Sequence, residues 1–253
     1  SAIGAVNLLI VAALLLEAAV LCAARLETAT HEDEKQPEAA ATGGGAIDGI
    51  LMVLRSPYIA GITLWVALLS VAATFLYFEQ AAIVAAASDD PAVRTRIFAT
   101  VDLAVGILTL AVQFLATGKL IARFGVGPAL ALLPLVFAAG FAVLAAAPVL
   151  AVVIAFQALQ RTANFAISNP AREVLFTVVA RDEKYKAKNV IDIFAVRGAH
   201  AAGGWLFTAL RSLGMELRSI PLVAIGIAAV CLAIAVALGR AQERRAALQR
   251  HDT

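Results

Sequence analysis

The sequence predicts an all-α, polytopic membrane protein, on three observations. Hydrophobic residues make up 62% of the 253 positions and charged residues 15%, where soluble domains hold about 45–50% and about 25%. Seven stretches reach the roughly 20 mostly apolar residues that cross a bilayer. Lysine and arginine gather on one side of those stretches. Such a composition excludes a water-soluble enzyme and a disordered chain. The net charge of +2 favours no nucleic-acid partner, and the expected surrounding is the lipid bilayer.

In chain order, residues 1–24 predict a transmembrane helix over Ala2–Ala24. It is no secretory signal: it lacks a basic start, carries Glu17 inside, and has no small-residue cleavage site before the acidic stretch. Because the chain opens at Ser1 in apolar sequence, this helix is expected to follow a missing upstream part. Residues 25–56 carry Glu27, Glu32, Asp33, Glu34 and Glu38, then Gly43-Gly44-Gly45, and predict a flexible cytoplasmic linker. Residues 57–239 predict a six-helix transmembrane bundle, with spans Pro57–Ala87, Arg94–Thr117, Val126–Ala147, Pro148–Val179, Asn189–Leu210 and Ile220–Leu238. Residues 240–253 predict a cytoplasmic basic tail. With the linker inside, thirteen Lys and Arg lie on that side and four outside, which predicts a cytoplasmic C-terminus.

Ionisable groups within a membrane cost about 2.5–3.5 kcal/mol each on insertion scales, so their placement carries functional meaning. Helical positions about 7, 11 and 18 apart fall nearly on one line. Such lines are Thr95, Asp102, Gly106, Thr109 and Gln113 in the third span, and Gln157, Arg161, Asn164, Ser168 and Arg172 in the fifth. Thr63, Ser70 and Thr74 align in the second span; Arg197, His200, Gly204, Thr208 and Arg211 share one side of the sixth. The fourth and seventh spans contain no charged side chain and read as lipid-facing. Four striped helices and two blank ones predict a wet cavity buttressed from outside.

That alternation resembles the C-terminal half of a major facilitator superfamily (MFS) transporter, whose third and sixth helices stand outside the cavity. Gly118-Lys119-Leu120-Ile121-Ala122-Arg123-Phe124-Gly125 is similar to the superfamily's G-x-x-x-D-R-x-G inner loop, with Ala122 at the place of the Asp. A narrower resemblance covers most of the chain after the linker. Phe75-Leu76-Tyr77-Phe78-Glu79-Gln80, Asn169-Pro170-Ala171-Arg172-Glu173 and Tyr185-Lys186-Ala187-Lys188-Asn189-Val190-Ile191-Asp192 resemble the bacterial ATP:ADP antiporter (NTP/NDP exchange transporter) family. The resemblance implies a six-helix C-terminal half plus the preceding transmembrane helix, with the N-terminal half of the same transporter missing. It further implies secondary active transport in a bacterial inner (plasma) membrane, with nucleotide or anion exchange as the activity.

Each polar group has two readings. Arg161 either contacts an anion or phosphate, which guanidinium binds bidentately, or pairs with Asp102 or Asp192. Asp102 carries a coupling proton or is that partner. Asp102, Gln113, Gln157, Arg161, Asn164, Arg197 and His200 are the candidate substrate and translocation residues. His200 either titrates or makes a packing hydrogen bond. Arg172, Glu173, Lys188 and Asp192 form a candidate inner gate trading salt bridges, against the plainer reading of a positive-inside loop; Lys188 and Asp192 have helical ion-pair spacing. Pro170 must free a backbone carbonyl. Glu79 and Gln80 are candidates for the outer mouth, where Glu79 gates or simply reaches interfacial water.

Cys22 and Cys231 lie far apart in apolar runs, and His31, His200 and His251 show no ligand spacing, so no metal or cofactor is expected. No phosphate loop, nucleophile elbow or zinc-protease motif occurs, so no catalytic residues and no enzyme are expected. The alternatives to anion exchange are a proton-coupled permease for another small solute and a non-transporting membrane sensor or assembly protein of the same fold.

Overall fold

The computed structural model describes residues 5–30, 46–87, 89–216 and 218–251. Among them every element is helical and none is a strand. The chain divides into two units, Ser1–Gly43 and Gly44–Thr253. The first holds α1 (Ala5–Thr30). In the second, α2 (Ala46–Arg55) and α3 (Pro57–Ala87) are followed by α4 (Pro91–Val112), α5 (Gly118–Phe124), α6 (Val126–Ala146) and α7 (Leu150–Ala163). Then come α8 (Asn169–Leu175), α9 (Arg181–Val190), α10 (Val196–Ser212) and α11 (Ile220–His251).

Five helices are long and apolar enough to cross a membrane: Pro57–Ala87, Pro91–Leu115, Val126–Ala146, Leu150–Val178 and Ile220–Gln249. The chain is thus an all-α protein of multi-pass membrane character, but two of the seven expected spans fall short. The apolar part of α1 within the described residues is Ala13–Ala23. Helix α10 has 17 residues and includes Arg197, His200 and Arg211, which lower its hydropathy.

The expected linker also differs at both ends. Helix α1 runs to Thr30, and Ala46–Arg55 is helical because Ile50 to Leu54 is an apolar run that packs on α9, with Val53 in the core. The remaining acidic and triple-glycine segment lies outside the described residues. The expected basic tail is the last turns of α11, whose Arg245 sits 4.4 Å over the Tyr58 ring. Gly118–Phe124, expected as a loop, is helix α5; Gly125 then turns the chain into α6 at φ 81°, a conformation that favours glycine.

Helix α3 is the hub, packed by α10, α11, α7 and α2. Trp65, Phe75, Phe137, Phe141 and Phe176 are the large side chains at the centre. The uncharged α6, expected at the periphery, nevertheless reaches the core with one face. It pairs along its length with α11 and sends Leu133, Phe137 and Phe141 into the core, whereas the polar-striped α4 is the least covered span, 11% buried against 56% for α3. A helix apolar all round is suited to burial on any side, so a missing charge does not separate lipid from core.

Small residues set the α6–α11 spacing: a Cβ on Gly239 would collide with the backbone of Gly127. Gly239→Leu should therefore destabilise the bundle by about 1–3 kcal/mol through overpacking. Gly226→Ala, on the same helix with open space around it, should be neutral or stabilising by up to about 1 kcal/mol. Thermal unfolding in detergent distinguishes the two.

Candidate functional site

Three π-helical turns interrupt the described helices: Gln113–Thr117 after α4, Asn164–Ser168 between α7 and α8, and Ile191–Ala195 between α9 and α10. Each inserts an extra residue and rotates the downstream side chains by roughly 100° relative to an uninterrupted α-helix. Pro170 comes just after the second turn. It has no amide hydrogen for the carbonyl of Ala166, four residues back, and that carbonyl accepts instead from Thr117 Oγ1 at 2.6 Å. The first π turn is thus fastened to the second by a side chain, as a helix break within an apolar bundle requires.

The second and third of these turns face a cavity of about 260 Å³. Helix α3 supplies Trp65, Leu69 and Ser70. The second π turn and its flanks supply Gln160, Asn164, Ser168 and Asn169. Arg172 of α8, Asp192 of the third π turn and His200 of α10 complete the polar lining, and Leu133 and Phe137 of α6 give it an apolar wall. Two N–H donors on lining residues, Trp65 Nε1 and Arg172 Nε, are buried with no acceptor. Each unmade bond of this kind costs about 1–3 kcal/mol.

Four of the predicted residues, Asn164, Arg172, Asp192 and His200, meet at this cavity. His200 Nδ1 lies 2.9 Å from Thr74 Oγ1, the packing bond of its second reading. The gate residues make cross-helix pairs in place of the expected Lys188–Asp192 pair. Lys188 Nζ donates to both carboxylate oxygens of Glu173, at 2.9 and 2.8 Å, and Arg172 Nη1 lies 3.3 Å from Asp192 Oδ1. The π turn beginning at Ile191 accounts for this: it interrupts the α spacing from Lys188 to Asp192.

The other predicted residues lie elsewhere. Arg161 pairs with Asp102, tying α7 to α4 outside the cavity. Its predicted line-mates Asn164, Ser168 and Arg172 are on the cavity wall, the first two within the second π turn and Arg172 beyond it. Gln157 donates to Gln80 between α7 and α3, and Gln80 is buried. Gln113 and Arg197 are exposed and line no part of the cavity. Glu79, expected at a mouth or in interfacial water, has no exposed surface at all. Its helical neighbours Phe75, Leu76 and Ile83 carry it into the core.

Trp65, Gln160 and Asn169 are cavity residues that the sequence reading does not single out. Gln160 stands one helical turn before Asn164, and that spacing is a usable signal. Arg172 is the arginine among the described lining residues, and it is paired with Asp192.

The Arg161–Asp102 pair can be isolated by a double-mutant cycle. Asp102→Asn and Arg161→Gln should each lower the melting temperature, and the double variant should lose less than their sum, with a coupling of about 0.5–3 kcal/mol. Strict additivity would show that the pair contributes nothing.

No family model matches the chain, and no curated protein or solved structure matches it.

Proposed function

We propose that this chain is the solute-handling part of a secondary active membrane transporter of the major facilitator type, working by alternating access. The observation that carries the reading is a cavity lined by the amides of Gln160, Asn164 and Asn169 and by Arg172, in a bundle of apolar helices. Side-chain amides and a guanidinium on the wall favour a solute bearing acceptor oxygens. At about 260 Å³ the cavity is smaller than the about 300–1,000 Å³ of ordinary ligand pockets. It suits one anionic or polar moiety, and the rest of a larger solute such as a nucleotide would be held by the upstream half.

The Arg172–Asp192 pair gives the mechanism a switch. An anionic group that enters competes with the Asp192 carboxylate for the guanidinium, and breaking that bridge loosens α8 from the third π turn. The Glu173–Lys188 bridge beside it ties α8 to α9, so both links cross the junction that must move. The partly exposed Asp102–Arg161 pair and the uncovered face of α4 support a further protein surface there, because a charged pair facing acyl chains is costly. We place the protein in a bacterial inner membrane with its C-terminus cytoplasmic. The nucleotide or anion exchange implied by the family resemblance is the finer form of the proposal.

The test uses the whole transporter in liposomes loaded with labelled ATP. External ADP, phosphate or an organic anion should provoke efflux of the label. Arg172→Gln, which loses a charge-assisted hydrogen bond of about 1.5–3 kcal/mol, should cut that efflux by about tenfold or more. Absence of efflux with all three external solutes would end the anion-exchange form.

A further inference from the structure

Glu79 is the most anomalous group in the structure. Its side chain is 0% exposed, and neither carboxylate oxygen has a hydrogen-bond partner. It lies within a span, next to a buried amide pair, Gln80 with Gln157. A buried carboxylate anion with no partner costs far more than a neutral acid in the same place, so such groups take up a proton.

The surroundings bear this out. Among the helices packed on α3, Arg211 of α10 is the charged group whose field acts on Glu79, yet it is exposed and donates to the Met215 carbonyl at 3.3 Å. His200 and Arg197 also belong to α10; the first is held at Thr74, more than a turn before Glu79, and the second is exposed. On α7, Arg161 is held by Asp102. On α11, Cys231 is buried and Arg245 sits over Tyr58 near the other end of α3. Asp192 of the third π turn is taken by Arg172. Arg55 of α2 adjoins the start of α3, which begins at Pro57, 22 residues before Glu79 and about 33 Å along that helix.

We propose that Glu79 is a proton-binding site. Its carboxyl holds one proton while α3 and α10 are packed as seen here. It gives that proton to water when the C-terminal end of α3 parts from α10, the resulting carboxylate then being met by water and by Arg211. The step is H⁺ transfer between a carboxyl oxygen and water, with no other bond changed. The inference goes beyond the transport reading, and its readout needs no solute.

The test is infrared difference spectroscopy on the chain in liposomes, paired with hydrogen exchange of α3 and α10 across pH. A carbonyl-stretch band of a buried carboxylic acid should be present in the wild type, lost in Glu79→Gln, shifted in Glu79→Asp and retained in Arg211→Gln. Glu79→Asp keeps the assignment testable should Glu79→Gln fail to insert. Because the packed form holds the proton, opening of the α3–α10 contact should increase as pH rises in the wild type and be pH-independent in Glu79→Gln. The proposal is overturned by identical bands in wild type and Glu79→Gln. It is equally overturned by a band that appears only when Arg211 is removed, which would make Glu79 an anion, or by the same pH profile with and without the carboxyl.

Discussion

Inside a bilayer no water stands ready to complete a broken hydrogen bond, so each polar atom must find a partner in the protein or in what the protein binds. Most of this molecule's spanning polar groups obey that constraint locally. Thr63, Ser70, Thr74, Thr95, Thr100 and Thr208 each return their hydroxyl to the carbonyl four residues earlier in their own helix. Where the helix itself breaks, at Pro170, a hydroxyl from another element takes over. Against this background the unpartnered atoms of Trp65, Arg172 and Glu79, and the hydroxyls of Thr109 and Thr162, stand out.

The same constraint explains what is legible in the sequence. Five of the seven span positions come from apolar runs: Pro57–Ala87 is helix α3 end to end, and Val126–Ala146 differs from expectation by one residue. The freed carbonyl at Pro170 comes from the missing amide hydrogen. Membership of the cavity is less legible, for two physical reasons. A hydroxyl on a stripe can be satisfied by its own backbone, so Thr95 adds polarity to the line without marking a cavity. A stripe also assumes continuous α geometry. The π turns at Asn164–Ser168 and Ile191–Ala195 break that assumption where it matters, dividing Arg161 from Arg172 and Lys188 from Asp192.

Burial is the other blind spot. Charge-free α6 reads as peripheral, yet it is as buried as the span of α7 and α8, and charged α4 is the least covered span within this chain. Hydropathy measures what a helix tolerates, not which neighbour it has. Glu79 shows the same limit for one residue: a carboxyl near the end of a long apolar helix reads as snorkelling, yet Phe75, Leu76 and Ile83 draw its face into the core.

The link between Thr74 and His200 has one more implication. A hydroxyl owns a single hydrogen, and that of Thr74 is directed to the Ser70 carbonyl at 2.8 Å. With the hydrogen there, the contact of 2.9 Å is made by an Nδ1–H and the lone pair is on Nε2; with the hydrogen turned to the ring, the two nitrogens exchange roles. Chemistry at one edge of the ring is thereby dictated by a neighbouring rod's alcohol. A rotation of α10 against α3 that broke the contact would free the ring to take either tautomer.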